Sequence, residues 1–511
     1  MSTAQRVIKN TGFLYAKMGI TVFVSLYTTR IVLTALGAFD FGIFNVVGGA
    51  IAMLGFLHAA MSSSTQRFMS FYGGRGEIEK QKFIFNVSSV LHFGIAIVLI
   101  VVLLIAGFFF FNGVLNIPPD RIFAAKVIYG SLILSTAFTV ISVPYEAVLN
   151  AHENMLYYSI VGVIESLLKL SVALVILYYL GDKLVLYGIL MAVIPFISRT
   201  IMQIYCHRKY SECVIAPRRY FDKDLAKEMT SFAGWSFLGT ASGIITQYGL
   251  GLVLNNFFGT LLNAAQGIAN QISGQLMVFS NTMMQALNPV IAKSEGSGNR
   301  KMMLEASIVG CKFSFFLLAV FAIPFMIEAP YLLGLWLNDV PPWAILFTRL
   351  QLLRSLIEQL TILIGRTIEV EGNIRNYTIV KSILNFLPII LSIILFKNGY
   401  PPYVLYIVWI LCWGIIKGLI SLLFSHRQCD LSYTDYFKNV AKPTLTVSTI
   451  MMVFGLILYF YMDEGFLRLL SVTTATTIAF ILVYRLFFMP KQELTMFHSI
   501  YGTVKKKVFK K

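Results

Sequence analysis

Residues 83–111 read FIFNVSSVLHFGIAIVLIVVLLIAGFFFF, with no aspartate, glutamate, lysine or arginine in the run. About 20 apolar residues carry a helix across the hydrocarbon of a bilayer, so this stretch is a transmembrane span and lipid is its solvent. Working outward from it, runs of like length occupy 10–34, 41–69, 122–150, 155–180 and 184–206, and then 231–256, 262–290, 303–327, 343–369, 377–396, 402–424, 443–462 and 466–488. The expectation is an all-α polytopic membrane protein of about fourteen helices.

Composition agrees with this. Of 511 residues, 57% are hydrophobic and 13% charged, where a soluble domain carries about 25% charged residues; mean hydropathy is +0.75. A net charge of +17 would suggest nucleic acid in a soluble protein. Here the basic residues gather in alternate loops, as the positive-inside rule requires. One side collects Arg6 and Lys9, Arg75 to Lys82, Arg208 to Lys223, Lys293 to Lys301, Arg375, Arg427, Lys438 and the tail Lys505 to Lys511. The other side holds Asp40, Asp120 with Arg121, Asp182 with Lys183, the uncharged 259–261, Asp339, Lys397, and Asp463 with Glu464. Both termini are therefore expected in the cytoplasm, and no nucleic-acid partner is expected. Arg6 and Lys9 precede an apolar run that is too long for a signal peptide and carries Lys17, so an uncleaved first helix is expected. Cys206, Cys213, Cys311, Cys412 and Cys429 show neither a disulfide nor a zinc spacing.

A constant offset of 222 residues aligns Gly12 with Gly234, Gly37 with Gly259, Met61 with Met283, Gly74 with Gly296 and Gly76 with Gly298. This indicates a duplicated six-helix bundle. An even helix count between the copies gives them the same orientation, with the pseudo-two-fold axis along the membrane normal and a cavity between two lobes. The expected organisation is an N-terminal lobe at 1–210, a basic cytoplasmic linker at 211–230, a C-terminal lobe at 231–425, two further helices at 426–488 and a basic tail at 489–511.

The eighth span carries the clearest polar signal. Asn263, Gln266, Asn270, Gly274, Met277, Asn281, Gln285 and Asn288 recur every three or four residues and share one helical face, which Gln271 and Gln275 widen. Carboxamides in lipid would each forfeit hydrogen bonds at a cost of kcal/mol. The stripe therefore meets either other helices or a wet cavity whose wall can donate to and accept from sugar hydroxyls. The matching face of the second span, Phe41, Phe44, Gly48, Ala52, Gly55, Ala59, Ser63 and Gln66, is mostly small, suiting close packing or a roomy lumen.

Ionisable residues within spans cost roughly 2.5–3.5 kcal/mol at a helix centre unless paired or hydrated. Glu165 with Lys169 and Arg354 with Glu358 are i,i+4 pairs. Glu146, Arg199 and Lys417 lie near span ends and are expected to snorkel. Lys17 has no acidic residue at i±3 or i±4, and Arg30 is similarly unpaired; both are candidates to face a cavity for an anion. Lys17, Arg30, Asn270, Gln275, Asn281, Gln285 and Arg354 are thus the candidate substrate contacts, and His58, Glu165 and Glu358 the candidate coupling groups. For His58 the hydrogen-bonded core residue is the favoured reading and proton coupling the alternative. No nucleotide-binding, nucleophile-elbow or zinc-protease motif is present, and no cofactor or metal is expected.

The segment 30–44, RIVLTALGAFDFGIF, resembles the R-x(5)-L-G-x(4)-G-x-[FY] pattern of Wzx-type polysaccharide-repeat flippases, within the multidrug/oligosaccharidyl-lipid/polysaccharide (MOP) exporter superfamily. Pro144-Tyr145-Glu146-Ala147 with Ala151-His152-Glu153, and Leu333 to Leu337, add to the likeness. The resemblance implies a MATE-like fold and alternating access in a bacterial inner membrane. It also implies a cationic lumen, with Lys17 and Arg30 as candidates, carrying an undecaprenyl-pyrophosphate-linked oligosaccharide for O-antigen or related surface polysaccharide. Membrane lipids and polysaccharide-assembly proteins are the further partners it implies. Peptidoglycan-precursor flippases and drug/cation antiporters share the architecture. An integral membrane polymerase or ligase is the alternative of another class, disfavoured by uniformly short outward loops.

Overall fold

The computed structural model describes residues 3–52, 55–111, 118–337 and 340–489, and every regular element among them is helical. The first half comprises α1 (Thr3–Ala52), α2 (Gly55–Arg75), α3 (Ile78–Phe109), α4 (Ile122–Ile141), α5 (Val143–Ala151), α6 (Met155–Tyr178), α7 (Lys183–Lys209) and the single turn α8 (Pro217–Tyr220). The second comprises α9 (Lys223–Phe258), α10 (Thr260–Gly296), α11 (Arg300–Ile327), α12 (Ala329–Trp336), α13 (Ala344–Gln359), α14 (Ile362–Glu371), α15 (Arg375–Lys397), α16 (Val404–Trp409) and α17 (Lys417–Cys429). The chain continues through α18 (Tyr433–Tyr436), α19 (Lys442–Tyr461) and α20 (Phe466–Val483). A π-helical turn at Ile410–Ile416 joins α16 to α17, so that pair forms one pass.

Ten helices among the described residues are long and apolar enough to cross a membrane, making this a multi-pass membrane protein. The expected spans at 10–34, 41–69, 262–290 and 343–369 fall outside those ten, although α1, α2, α10, α13 and α14 cover most of their described residues. The first two meet inside α1 at Gly37, whose φ of 74° and ψ of 166° are not helical, so no loop separates them. The spans expected at 122–150 and 343–369 are each broken. At the first break Pro144 removes an N–H from the ladder, and the Ser142 hydroxyl donates to the Phe138 carbonyl at 2.8 Å. At the second, the amides of Leu360 and Thr361 reach back three residues, to Ile357 and Glu358, tightening the turn.

Sidedness follows from helical periodicity. On α3, His92, Ala96, Leu99 and Leu103 are buried, while Phe93, Ile97, Val101, Leu104 and Phe108 are exposed. An apolar belt of this kind is tolerable only in lipid. The chain forms two compact units: one of Met1–Ile245, Thr282–Ser307 and Arg366–Ile383, the other of Thr246–Asn281, Ile308–Gly365 and Leu384–Lys511. The core of the first includes Phe68, Phe85, Tyr145, Met229 and Phe232, with the Phe85 and Tyr145 rings edge-on at 5.1 Å. In the second, Phe316, Leu318 and Ile323 of α11 pack with Met451 of α19 and Val472 of α20. The Arg468 guanidinium donates to both Glu328 carboxylate oxygens at 3.0 Å, with both side chains buried.

The 222-residue repeat reappears in the backbone. Gly37 and Gly259 have φ of 74° and 81°, and Gly76 and Gly298 have 73° and 75°. These are left-handed values that glycine adopts without steric cost. Gly74 and Gly296 are in reciprocal close approach: a Cβ on Gly74 would overlap the Lys293 carbonyl, and one on Gly296 the Phe71 carbonyl. Phe71 and Lys293 are themselves repeat partners, so this contact obeys the pseudo-two-fold. A second register, shifted to 219, pairs Glu153 with Gly372; both are left-handed, at φ 54° and 110°. For glutamate this costs roughly 1–2 kcal/mol.

Candidate functional site

Three of the charged clusters among the described residues bear on a candidate site, two in the first unit and one in the second. The first surrounds Lys17 of α1. Its Nζ sits 4.3 Å from the centre of the Tyr158 ring on α6, and its stem occupies space that a side chain at Gly162 would fill. Gln285 of α10 and Glu146 of α5 lie beside the Tyr158 hydroxyl. Glu146 accepts from Arg199 of α7 at 3.4 Å, and Glu165 from Lys169 at 2.8 Å. Lys17, Lys169 and Arg199 face Glu146 and Glu165, all within Coulombic reach of Lys17, which leaves a positive excess. Glu146 and Arg199 are therefore an ion pair, which corrects the expectation that they snorkel: α5 and α7 pack so that the two side chains meet before either reaches a helix end.

The second cluster lies at the basic-loop end of the same unit. Arg67 of α2 donates from Nε and Nη2 to the Val370 carbonyl at 3.1 and 2.9 Å, and from Nη2 to the Glu371 carbonyl at 3.2 Å. These are carbonyls that α14 leaves unbonded at its C-terminus. The guanidinium also lies over Phe68, Phe71 and Phe232, at 4.7, 5.6 and 4.9 Å from their ring centres. A cavity of about 310 Å³ lies on one side, lined by Ser63, Gln66, Ser70, Asn288, Arg366 and Glu369 among others. A second, of about 590 Å³, is lined by Asp224, Lys227, Glu228, Trp235, Glu371 and Arg375. Arg67 and Phe232 border both. Close by, the buried Glu153 carboxylate accepts from Arg6 at 3.3 Å and Lys293 at 3.5 Å.

In the second unit, Glu358 accepts from Arg354 at 2.9 Å and from Lys417 at 3.3 Å. The two cations lie over Trp409 and Trp413, at 4.4 and 4.6 Å. Lys417 thus turns inward to a carboxylate and a ring instead of snorkelling. Ser273 of α10 and Ser355 share a hydrogen bond of 2.9 Å.

The structure brings Lys17, Gln285 and Glu165 together in the first cluster, and Arg354 and Glu358 together in the third. On α10, Gln271, Gln275 and Asn281 are exposed, Gln266 is buried, and Asn270 is half-buried with no hydrogen-bond partner for its Oδ1 among the described residues. The side chains of Arg30, His58 and Asn263 lie outside the described residues, as do Asp339 and the basic tail. Sequence reasoning missed Arg67, Arg366 and Glu369. Arg67 had a signal, being inside an expected span without an acidic neighbour one turn away. Gly372 had another, as a glycine directly after a helix end.

No protein-family model matches the sequence, and no curated protein matches it. Solved structures do. The chain has the fold of MATE transporters of the MOP superfamily. An outward-facing MATE multidrug-resistance transporter aligns at TM-score 0.71 and 15% identity, covering 83% of this chain and 95% of its own. A MOP superfamily transporter from Pyrococcus furiosus, described as having a binding pocket of reverse polarity, aligns at TM-score 0.69 and 15% identity with the same coverage. A variant of the Vibrio cholerae MATE transporter VcmN aligns at 0.64 and 14%, covering 85% of this chain and 100% of its own.

Proposed function

We propose that this protein is a flippase. It moves an undecaprenyl-pyrophosphate-linked oligosaccharide across the bacterial inner membrane by alternating access, with both termini cytoplasmic and no enzymatic step. The observation that carries this reading is the positive excess held among helices around Lys17, where three cations face two carboxylates. A fixed cation within the bilayer replaces lost hydration of an incoming anion with weakly screened Coulomb attraction. The exposed carboxamides Gln271, Gln275 and Asn281 supply the donors and acceptors that sugar hydroxyls need.

Complementation of a flippase-deficient strain tests it, with surface polysaccharide and membrane protein both quantified. Lys17→Ala and Arg30→Ala abolish or sharply reduce export at normal insertion, and Arg30→Lys rescues less well than Lys17→Arg because only arginine offers a planar fork to phosphate. Full export by the double alanine variant removes this reading. A drug/cation antiporter is the second reading, favoured by the fold and by the carboxylates Glu146 and Glu165 beside Lys17; cation efflux lost in Glu146→Gln, with export intact, would establish it.

A further inference from the structure

We propose that the 310 Å³ cavity is a phosphate site and that Arg67 is a latch which phosphate releases. The identity of the anion rests on the flippase reading; the site itself rests on the following geometry.

Arg67 spends its charge on poor partners. Its three donor contacts go to neutral carbonyls at the end of α14, and its remaining neighbours are ring faces. Glu228, Glu371 and Glu295 act on it only through space. A diphosphate would accept from the same planar fork in a charge-assisted, bidentate manner, roughly twice as strongly as a neutral acceptor. The cavity is built to receive one. Ser70 is fully buried, and neither its hydroxyl nor the Asn288 carbonyl oxygen has a hydrogen-bond partner among the described residues, though both line the cavity. Gln66 and Ser63 add donors. Among the described lining residues the one carboxylate, Glu369, is shared between Arg366 and Lys381, so that wall is net cationic. At about 310 Å³ the space lies at the lower end of small-molecule pockets, suiting a head group and not a whole lipid-linked substrate.

The receptor is also the seal. Arg67 and Phe232 form the wall common to both cavities, and the grip on α14 needs the left-handed Gly372, because a Cβ there would overlap Nη2. Phosphate on the guanidinium frees the carbonyls of Val370 and Glu371, and departure of phosphate restores them. By linkage, a ligand that prefers the released state favours opening, and its loss favours closure. The basic-loop end therefore closes as the anion leaves.

Equilibrium binding of inorganic pyrophosphate to the full chain in nanodiscs tests this. Arg67→Gln should weaken binding by about tenfold or more, with Arg67→Lys intermediate and serving as the variant that keeps the charge. Gly372→Ala should bind pyrophosphate more tightly than the natural chain, since its carbonyls no longer compete. Unchanged affinity in Arg67→Gln overturns the site, and unchanged or weaker affinity in Gly372→Ala overturns the latch. Nanodiscs containing a polyprenyl diphosphate separate the two sources: tighter binding than inorganic pyrophosphate assigns the site to a lipid head group, and equal or weaker binding assigns it to free phosphate. If these differences hold while complementation fails, the site stands and the oligosaccharide reading falls; intact complementation with no effect of Arg67 on binding removes the site alone.

Discussion

Gly74 and Gly296 hold each other's helix ends at backbone contact. Neither position has room for a Cβ, because the carbonyls of Lys293 and Phe71 already occupy the space. Overpacking of this kind costs about 1–3 kcal/mol, and the helix ends can escape it only by separating. Gly74→Ala and Gly296→Ala should therefore each favour the separated state. With the native cysteines replaced, a cysteine at Ser63 should react faster with a membrane-impermeant maleimide in either variant. Equal labelling rates in the glycine and alanine chains would show that the contact does not control access.

On α10, cysteine at Gln275 or Asn281 should react with a small impermeant thiol reagent, because exposed carboxamides are too costly to face lipid and so meet water, while cysteine at the buried Gln266 should stay inert. Reaction at Gln266 with silence at the other two would reverse the proposed face.

This stripe shows how far the sequence could be read. Periodicity alone identified a polar face on the eighth span, because side-chain direction repeats every 3.6 residues. It could not distinguish the buried Gln266 from the exposed Gln275, since that depends on which neighbour covers each turn. The glycine repeat was legible for a like reason: Gly37, Gly76, Gly259 and Gly298 mark backbone geometry that few other residues adopt. The Arg67 site was not legible as a site. Its partners are carbonyls, which every sequence possesses, and they arrive from residues more than 300 positions away. Glu146 with Arg199 and Glu358 with Lys417 were hidden for the same reason, as ion pairs made across helices.

The buried pair Glu328 and Arg468 ties α20 to the end of α11. Removing the Glu328 charge leaves the buried Arg468 only the exposed Glu464, at 3.8 Å, so Glu328→Gln should destabilise by about 3 kcal/mol, whereas a double replacement of Glu328 and Arg468 by leucine and methionine should be near neutral or stabilising. Thermal unfolding in detergent measures both. A single variant as stable as the natural chain would mean that water reaches Arg468.

In the linker beyond α7, Glu212 is held by His152, whose ring stacks on Tyr210. Burial raises the carboxyl pKa, but the hydrogen bond from His152 and the local backbone outweigh it and leave the group below its ordinary value. A depressed carboxylate contributes stability that is complete above the unfolded pKa, about 4.3, and is lost as pH falls through the lower folded value. Thermal stability should decline more steeply with acid below about pH 5 in the natural chain than in Glu212→Gln. Parallel declines would count against the pair.

The 222-residue register has one further consequence, which concerns ancestry. Continued to Arg67, it arrives at Pro289. Two identical chains meeting on a two-fold would have set one guanidinium opposite another near their common axis, and like charges there would repel. Joining the copies into one polypeptide lifts that restriction, because each half can then mutate alone. One half keeps the cation and the other offers an uncharged ring, much as Glu153 and Gly372 have parted company at equivalent turns. A single polypeptide leaves its two halves free to differ in this way while the reciprocal contact of Gly74 and Gly296 is kept.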